Sequence, residues 1–168
     1  LLDENYKSKW NDRARRALKK YEKSWAEVRP VDSETFIKAF QSTKVKHWYK
    51  SDYIRNYKRI RSFDPSKVRQ WVVYHEWKAV AWLACLDYLW NHSAHFVAFT
   101  GKDSYAIQGW TALIDAWFRE SLSMWIKYIT FDQLRKSNGP KDQKGYTEFK
   151  EDFIEHHLSF KKAYFKMF

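Results

Sequence analysis

The sequence predicts an all-α protein, an elongated bundle of long helices built from four to five segments. Breaking residues are rare, with Gly 4 and Pro 3 in 168 residues. Apolar residues recur at three- and four-residue steps along much of the chain, which is typical of amphipathic helices. The stretch 71–90, WVVYHEWKAVAWLACLDYLW, contains neither Gly nor Pro. Because strands rarely exceed about eight residues, this long run favours a helix.

The stretch 71–90 is interpreted as the central helix of the bundle. Its only charged residues are Glu76, Lys78 and Asp87, and a helix that is apolar on nearly every side must be covered on nearly every side. A membrane span is the rival interpretation, but it needs about 18–20 apolar residues. The segment without polar side chains, 79–86, is far shorter than that. We therefore expect a buried core helix and no transmembrane span.

Four side chains of this stretch are expected in the core. Trp71, Trp82 and Trp90 should be substantially buried, because they lie on the most apolar segment. The single cysteine, Cys85, should be buried and inert, and it has no second cysteine for an internal disulfide.

The helices before the central one are placed by their stop and start signals. A first helix is predicted from Asn5 to Val28, ending before Pro30. Asp32 or Ser33 then caps a second segment from Glu34 to about Ser62, with a kink at 41–43. The pair Asp64-Pro65 is a further start signal, with Asp at the cap and Pro at the first helical position.

The later helices are placed in the same way. The central helix is expected to continue to about Phe99, with Gly101 adopting a positive φ in the turn after it. Asp103 then caps a fourth helix. The breaker Asn138-Gly139-Pro140 precedes a last helix at about 143–166. The whole chain, 1–168, is interpreted as a single domain. It begins at Leu1 without a signal segment, which indicates an excised domain whose targeting information is absent.

The sequence indicates no enzyme. A glycine-rich phosphate loop is missing, and His92 with His95 has no nearby third metal ligand. Cys85 and His92 would lie roughly 10 Å apart along a helix, beyond hydrogen-bond reach. No catalytic residue, no metal site and no cofactor is therefore predicted.

The positive charge is concentrated at the N-terminal side of the chain. The net charge is +11, and residues 1–69 carry 19 Lys and Arg against 9 Asp and Glu. One basic segment, from Lys38 to Arg69, also contains several aromatic residues. Such a pattern fits a nucleic-acid backbone with base stacking, or an anionic membrane surface. It equally fits a solvated helix face. The predicted lipid- and anion-binding residues are Lys38, Lys44, Lys46, Trp48, Tyr49, Lys50, Arg55, Lys58, Arg59 and Arg61.

The spacing of the aromatic residues resembles the C-terminal tryptophan-rich domain of the Plasmodium tryptophan-rich antigens. The likeness rests on Gln70-Trp71 with Tyr74, on the segment 87–90 ending in Trp90, and on an upstream pair formed by Tyr57 and Ser62. It continues in the repeat of Trp110, Trp117 and Trp125 at seven- to eight-residue steps. The related PHIST helical domain of exported parasite proteins is the nearest alternative.

The resemblance implies an elongated bundle of about three helical rows and a non-enzymatic, surface-binding function. It implies a parasite surface location or export to the host red cell, with anionic lipid, a sulfated glycolipid or an erythrocyte surface protein as partner. We therefore expect a non-enzymatic, peripheral, lipid-binding domain that contacts a red-cell membrane. The alternatives that stay open are a basic helical nucleic-acid-binding protein and a PHIST-like protein-interaction domain.

Overall fold

The protein is a mixed α/β structure rather than a helical bundle. The computed structural model describes residues 2–42, 47–131 and 144–154. In chain order, its elements are α1 (Tyr6–Lys9), α2 (Asp12–Glu22), β1 (Glu27–Pro30), α3 (Ser33–Gln41), α4 (His47–Phe63), β2 (Val68–His75), β3 (Lys78–Tyr88), β4 (His92–Thr100), α5 (Lys102–Ile107), α6 (Gly109–Ser123), β5 (Tyr128–Thr130) and α7 (Lys144–Glu151). The prediction of an all-α elongated bundle is therefore wrong.

The five strands form one sheet in the order β1-β2-β3-β4-β5. The pairs β1–β2, β2–β3 and β3–β4 are antiparallel, whereas the pair β4–β5 is parallel. Helices cover both faces. The α1, α2 and α6 side packs around Trp71, Leu83 and Trp117, and the α3 and α4 side packs around Val72 and Trp82.

The expected central helix is a β-hairpin, formed by β2 and β3. The turn residues Glu76 and Trp77 have φ values of 48° and 65°, as the favoured two-residue hairpin turns require. Neither residue is glycine, so the sequence carries no ordinary turn signal. The middle of β3 is buried on both faces, which removes the alternation by which a strand is recognised. These two features together explain why the stretch resembled a helix.

The expected core residues divide into two groups. Trp71 and Trp82 are 2% and 4% exposed, and Cys85 is fully buried, so these predictions are confirmed. Trp90 is 87% exposed, so that prediction is wrong. It lies in the turn between β3 and β4, where Leu89 has a φ of 44°. A turn at this point projects the indole away from both core clusters.

The expected first helix is divided into three elements. Asn11 accepts a hydrogen bond from the Ala14 N–H at 3.0 Å and begins α2. Trp25, with a φ of 56°, then ends the helical part and leads into β1. Pro30 lies at the end of this edge strand, where the missing N–H costs no ladder hydrogen bond.

Several local signals are confirmed. Asp32 caps α3 by accepting from the Thr35 N–H at 2.7 Å, and the expected break near 41–43 falls where α3 ends. Asp64 caps a short 3₁₀ turn, Pro65–Lys67, but this turn leads into β2 rather than a helix. Gly101 has a φ of −79°, so the expected positive φ is wrong there, as is the cap at Asp103.

The last predicted helix is covered only in part. Its first half corresponds to α7, and its remainder from 155 onwards lies outside the described residues. Among the helices of the described ranges, none is both long and apolar enough to span a bilayer.

Candidate active site between β4 and α6

The outer edge of β4 is open over most of its length. The strand has nine residues, and β3 pairs with it from Tyr88↔His92 to Ala81↔Thr100. On the other side, β5 pairs only with His92, Ser93 and Ala94. From Phe96 to Thr100, no described residue pairs with this edge. The outward N–H and C=O groups of this part are therefore available to a ligand, as on any unpaired strand edge.

A β-bulge lies where the open part begins. Ala84 pairs with Val97 and Cys85 pairs with His95, so Phe96 is an extra residue in β4. As a result, Phe96 and Val97 both face the α3 and α4 side. Ala98 packs instead on the opposite side, towards α6. Bulges are common beside active sites, because they redirect side chains and end regular pairing.

The N-terminus of α6 lies next to the end of β4. Gln108 adopts a left-handed conformation, with φ 59° and ψ 34°, between α5 and α6. No side chain caps α6 there, so its first N–H groups form a positive helix end. Gly109 is required by packing, because an added Cβ would lie 2.9 Å from the Ser104 Oγ. Helix N-termini of this kind favour anionic groups.

A cavity of about 540 Å³ joins these two features. Its volume is within the range of ligand sites, about 300–1,000 Å³. The Ser104 hydroxyl lies on its wall, is 1% exposed, and has no hydrogen-bond partner among the described residues. A buried hydroxyl without a protein partner is uncommon, so the Ser104 hydroxyl can form a hydrogen bond with a group bound in the cavity. The cavity is lined by Arg13, Ala14, Ala17, Ala98, Phe99, Thr100, Ser104, Tyr105, Gln108, Trp110, Thr111, Gly145, Glu148, Phe149 and Asp152.

The far wall of the cavity is made by α2 and α7, which are joined by an ion pair. Arg13 donates to both Asp152 carboxylate oxygens, at 2.7 and 2.8 Å, and to the Glu148 carbonyl at 2.8 Å. Asn11 also donates to Asp152. The hydrogen bond with Asp152 raises the pKa of the Arg13 guanidinium above its ordinary value. These hydrogen bonds hold α2 against α7 and the residue that follows α7.

The start of β4 has a different environment, a buried polar cluster. Arg69 forms an ion pair with Asp87 at 2.7 Å and donates to the Ser121 hydroxyl at 2.8 Å. Trp117 donates its indole N–H to the Ser93 hydroxyl at 2.8 Å. Both partners of the ion pair are almost completely covered. None of these residues is among those that line the cavity.

The described members of the predicted anion-binding set lie on α3 and α4, and none of them lines this cavity. Lys38 pairs with Glu34, Arg55 pairs with Asp52, and Arg61 donates to Gln70 at 3.4 Å. Further members are Lys50, which donates to the Gln41 carbonyl at 2.7 Å, and the exposed Lys58 and Arg59. Lys44, Lys46 and the side chains of Trp48 and Tyr49 lie outside the described residues. None of the described members lines the cavity, and anion binding by them stays a prediction.

The residues of the cavity had weak signals in the sequence. Gly109 is one of four glycines, but a lone glycine does not form a recognisable phosphate loop. Ser104 and Arg13 are 91 positions apart, and only the fold brings them to one cavity. Which part of β4 is unpaired depends on how the strands pair, and the composition of the sequence does not reveal it.

Comparison with known proteins rests on structure. No protein-family model matches the chain, and no curated protein matches it. The aminoglycoside 6'-N-acetyltransferase AAC(6')-Ih from Acinetobacter baumannii is similar with a TM-score of 0.58 at 11% identity, over 84% of this chain and 97% of that chain. The ribosomal-protein-S18-alanine N-acetyltransferase from Escherichia coli has a TM-score of 0.53 at 16% identity, over 75% of this chain and 74% of that chain.

A third similar structure is not described as an acetyltransferase. A transcriptional regulator from Bacillus halodurans has a TM-score of 0.54 at 14% identity, over 83% of this chain and 99% of that chain. The two acetyltransferases are enzymes, and their similarity contradicts the predictions of a non-enzymatic, lipid-binding surface domain. The resemblance to tryptophan-rich antigens is not tested by these structures, although the helical bundle that it implied is wrong. The chain therefore shares its overall fold with these solved structures.

Proposed function

We propose that this protein is an N-acyltransferase that moves an acyl group from a coenzyme A thioester to an amine. The observation that carries the proposal is the cavity that connects the open edge of β4 with the N-terminus of α6. It is supported by the fold, which is shared with acetyltransferases whose substrates differ.

The cavity fits the two chemical halves of coenzyme A. Its diphosphate carries negative charge, which the N-terminus of α6 and the unpartnered Ser104 hydroxyl would favour. Its pantetheine arm contains two amide groups, which match the outward N–H and C=O groups of β4 between Phe96 and Thr100. The small, uncharged side chains of Ala14, Ala17 and Ala98 line the wall beside this arm and leave space for it.

The reaction follows from an acyl thioester held along β4. The neutral amine attacks the carbonyl carbon, a C–N bond forms, the C–S bond breaks, and the amine proton ends on the released thiol. Backbone N–H groups at the open edge would stabilise the developing negative charge on the carbonyl oxygen. Glu148 is an exposed carboxylate on the cavity wall, and its charge favours the approach of a cationic amine.

The test is a binding measurement followed by an assay of thiol release. Calorimetric titration with coenzyme A should show one site per chain in the wild-type protein. Ala98→Phe should remove this binding, because the new ring occupies the cavity beside β4. Ala106→Phe is the matched control, since Ala106 lies exposed on α5 outside the cavity lining.

The assay then identifies the acceptor. The wild-type protein is incubated with acetyl-coenzyme A and a panel of primary amines, namely polyamines, aminoglycosides, free lysine and peptides with free N-termini. An amine that increases thiol release over the background rate is an acceptor. The proposal fails if the wild-type protein does not bind coenzyme A, or if Ala106→Phe abolishes binding as strongly as Ala98→Phe.

A further inference from the structure

Two neighbouring turns expose a group of apolar side chains that neither the core nor the cavity uses. Leu89 and Trp90 lie in the β3–β4 turn and are 67% and 87% exposed. Met124, Trp125 and Tyr128 follow α6 and are 45%, 85% and 42% exposed. We call these five residues the aromatic end.

The two turns form one continuous surface. The N–H groups of Lys127 and Tyr128 both donate to the Asn91 carbonyl, at 2.9 and 3.2 Å. The His92 and Tyr128 rings are stacked, with centroids 4.5 Å apart. The backbone bonds and the ring contact hold the exposed side chains side by side in fixed positions.

The two turns themselves carry little charge, and the N-terminal segment with Asp3 and Glu4 lies next to them, because the Leu2 N–H donates to the Lys127 carbonyl at 2.7 Å. Within the segments 88–92 and 123–128, the only Lys, Arg, Asp or Glu is Lys127. The exposed Trp77 is different, because it stands between Glu76 and Lys78. An uncharged surface rich in Trp, Tyr and Met has the composition of an interface core.

We propose that the aromatic end is the contact surface of a symmetric homodimer. A covered aromatic side chain buries about 150–250 Å², so the aromatic end offers on the order of 600 Å². A standard interface buries about 800 Å² on each partner, and the surrounding polar rim would supply the remainder. The net charge of +11 opposes self-association in general, but the two turns carry only one lysine in each copy.

A bilayer surface is the less favoured occupant. Attachment to anionic lipid depends on Lys and Arg around the apolar residues, and Lys127 alone supplies little of that charge. In the two-fold contact, by contrast, the same apolar patch meets itself, so no charged partner is required.

The dimer would leave the candidate active site accessible. The aromatic end lies at the start of β4, whereas the cavity is lined by residues 98–100 at its end. Eight residue steps along a strand correspond to roughly 26 Å. The inference goes beyond the proposed function and does not depend on it.

The experiment compares two tryptophans that match in backbone and exposure. Trp125 and Trp77 have φ values of 62° and 65° and are 85% and 92% exposed. Asparagine tolerates this left-handed conformation well, so both Trp125→Asn and Trp77→Asn should fold. Sedimentation velocity at micromolar concentrations measures the dimer dissociation constant of each protein, and circular dichroism verifies folding.

The wild-type protein and Trp77→Asn should sediment as dimers with equal dissociation constants. Trp125→Asn should raise the dissociation constant about 30-fold, as expected for loss of a central aromatic anchor. Trp90→Ser should have an effect of the same direction. A wild-type protein that is monomeric throughout overturns the proposal, whether or not it floats with phosphatidylserine vesicles. Equal effects of Trp125→Asn and Trp77→Asn overturn it as well.

Discussion

The two halves of β4 belong to one strand but have different roles. Residues 92–94 have a strand on each side, and Ser93 is fully buried below Trp117. Residues 95–100 have only β3 beside them among the described residues, and three of them line the cavity. The difference arises because the parallel strand β5 ends after three residues. A strand whose neighbour ends early thus supplies both a rigid anchor and a free edge for a ligand.

The largest expected effect is on the anchored half. Trp117→Ala removes a fully buried indole that donates to the Ser93 hydroxyl. The free energy of unfolding of Trp117→Ala, measured by urea denaturation, should be about 3–5 kcal/mol lower than that of the wild type. Trp110→Ala is the counterpart at the open half, where the indole is only partly buried beside His95. Trp110→Ala should lose less than half as much stability, and equal losses would contradict the division of β4.

The buried ion pair near the anchored half should come next. Asp87→Asn leaves the covered Arg69 guanidinium with Glu120, at 3.6 Å, as its one charged partner among the described residues. The free energy of unfolding should fall by about 2–4 kcal/mol. Asp52→Asn removes an exposed carboxylate from its pair with Arg55 and should cost less than about 0.5 kcal/mol. Similar losses in the two variants would mean that Asp87 is solvated.

Cys85 lies at the boundary between the two halves, where it pairs with His95. Burial raises the pKa of its thiol from 9.0 to about 12. Between these two values the unfolded chain loses the proton while the folded chain keeps it, so stability falls as the pH rises. Denaturation at pH 8 and pH 10 should show a smaller decrease for Cys85→Ala than for the wild type. Identical decreases would place the thiol in contact with solvent.

The smallest effect concerns the open edge itself. Hydrogen exchange should be faster for those amides of residues 95–100 that point away from β3 than for the outward amides of residues 92–94, because only the latter have β5 as a partner. Addition of coenzyme A should slow the exchange at the open half alone. Uniform slow exchange along β4 before any ligand is added would show that another segment pairs with this edge.

The sequence by itself determined the local signals and much of the core. The cap at Asp32, the break after Gln41 and the burial of Trp71, Trp82 and Cys85 follow from side-chain chemistry within a few residues. Such features depend on short-range hydrogen bonds and on hydrophobicity, and both are visible in the order of residues. The concentration of basic residues before position 70 is likewise a property of the sequence alone.

Only the tertiary structure decided that the stretch 71–90 forms strands. Because β3 is buried on both faces, its sequence lacks the alternation of apolar and polar residues that is typical of strands. The turn at Glu76 and Trp77 contains no glycine, so it gives no ordinary turn signal. The same limit applies to the candidate site. Strand pairing leaves the edge of β4 open, and packing brings Arg13 and Ser104 to one cavity. Contacts between residues far apart in the chain arise from the balance of all packing interactions, so no local pattern contains them.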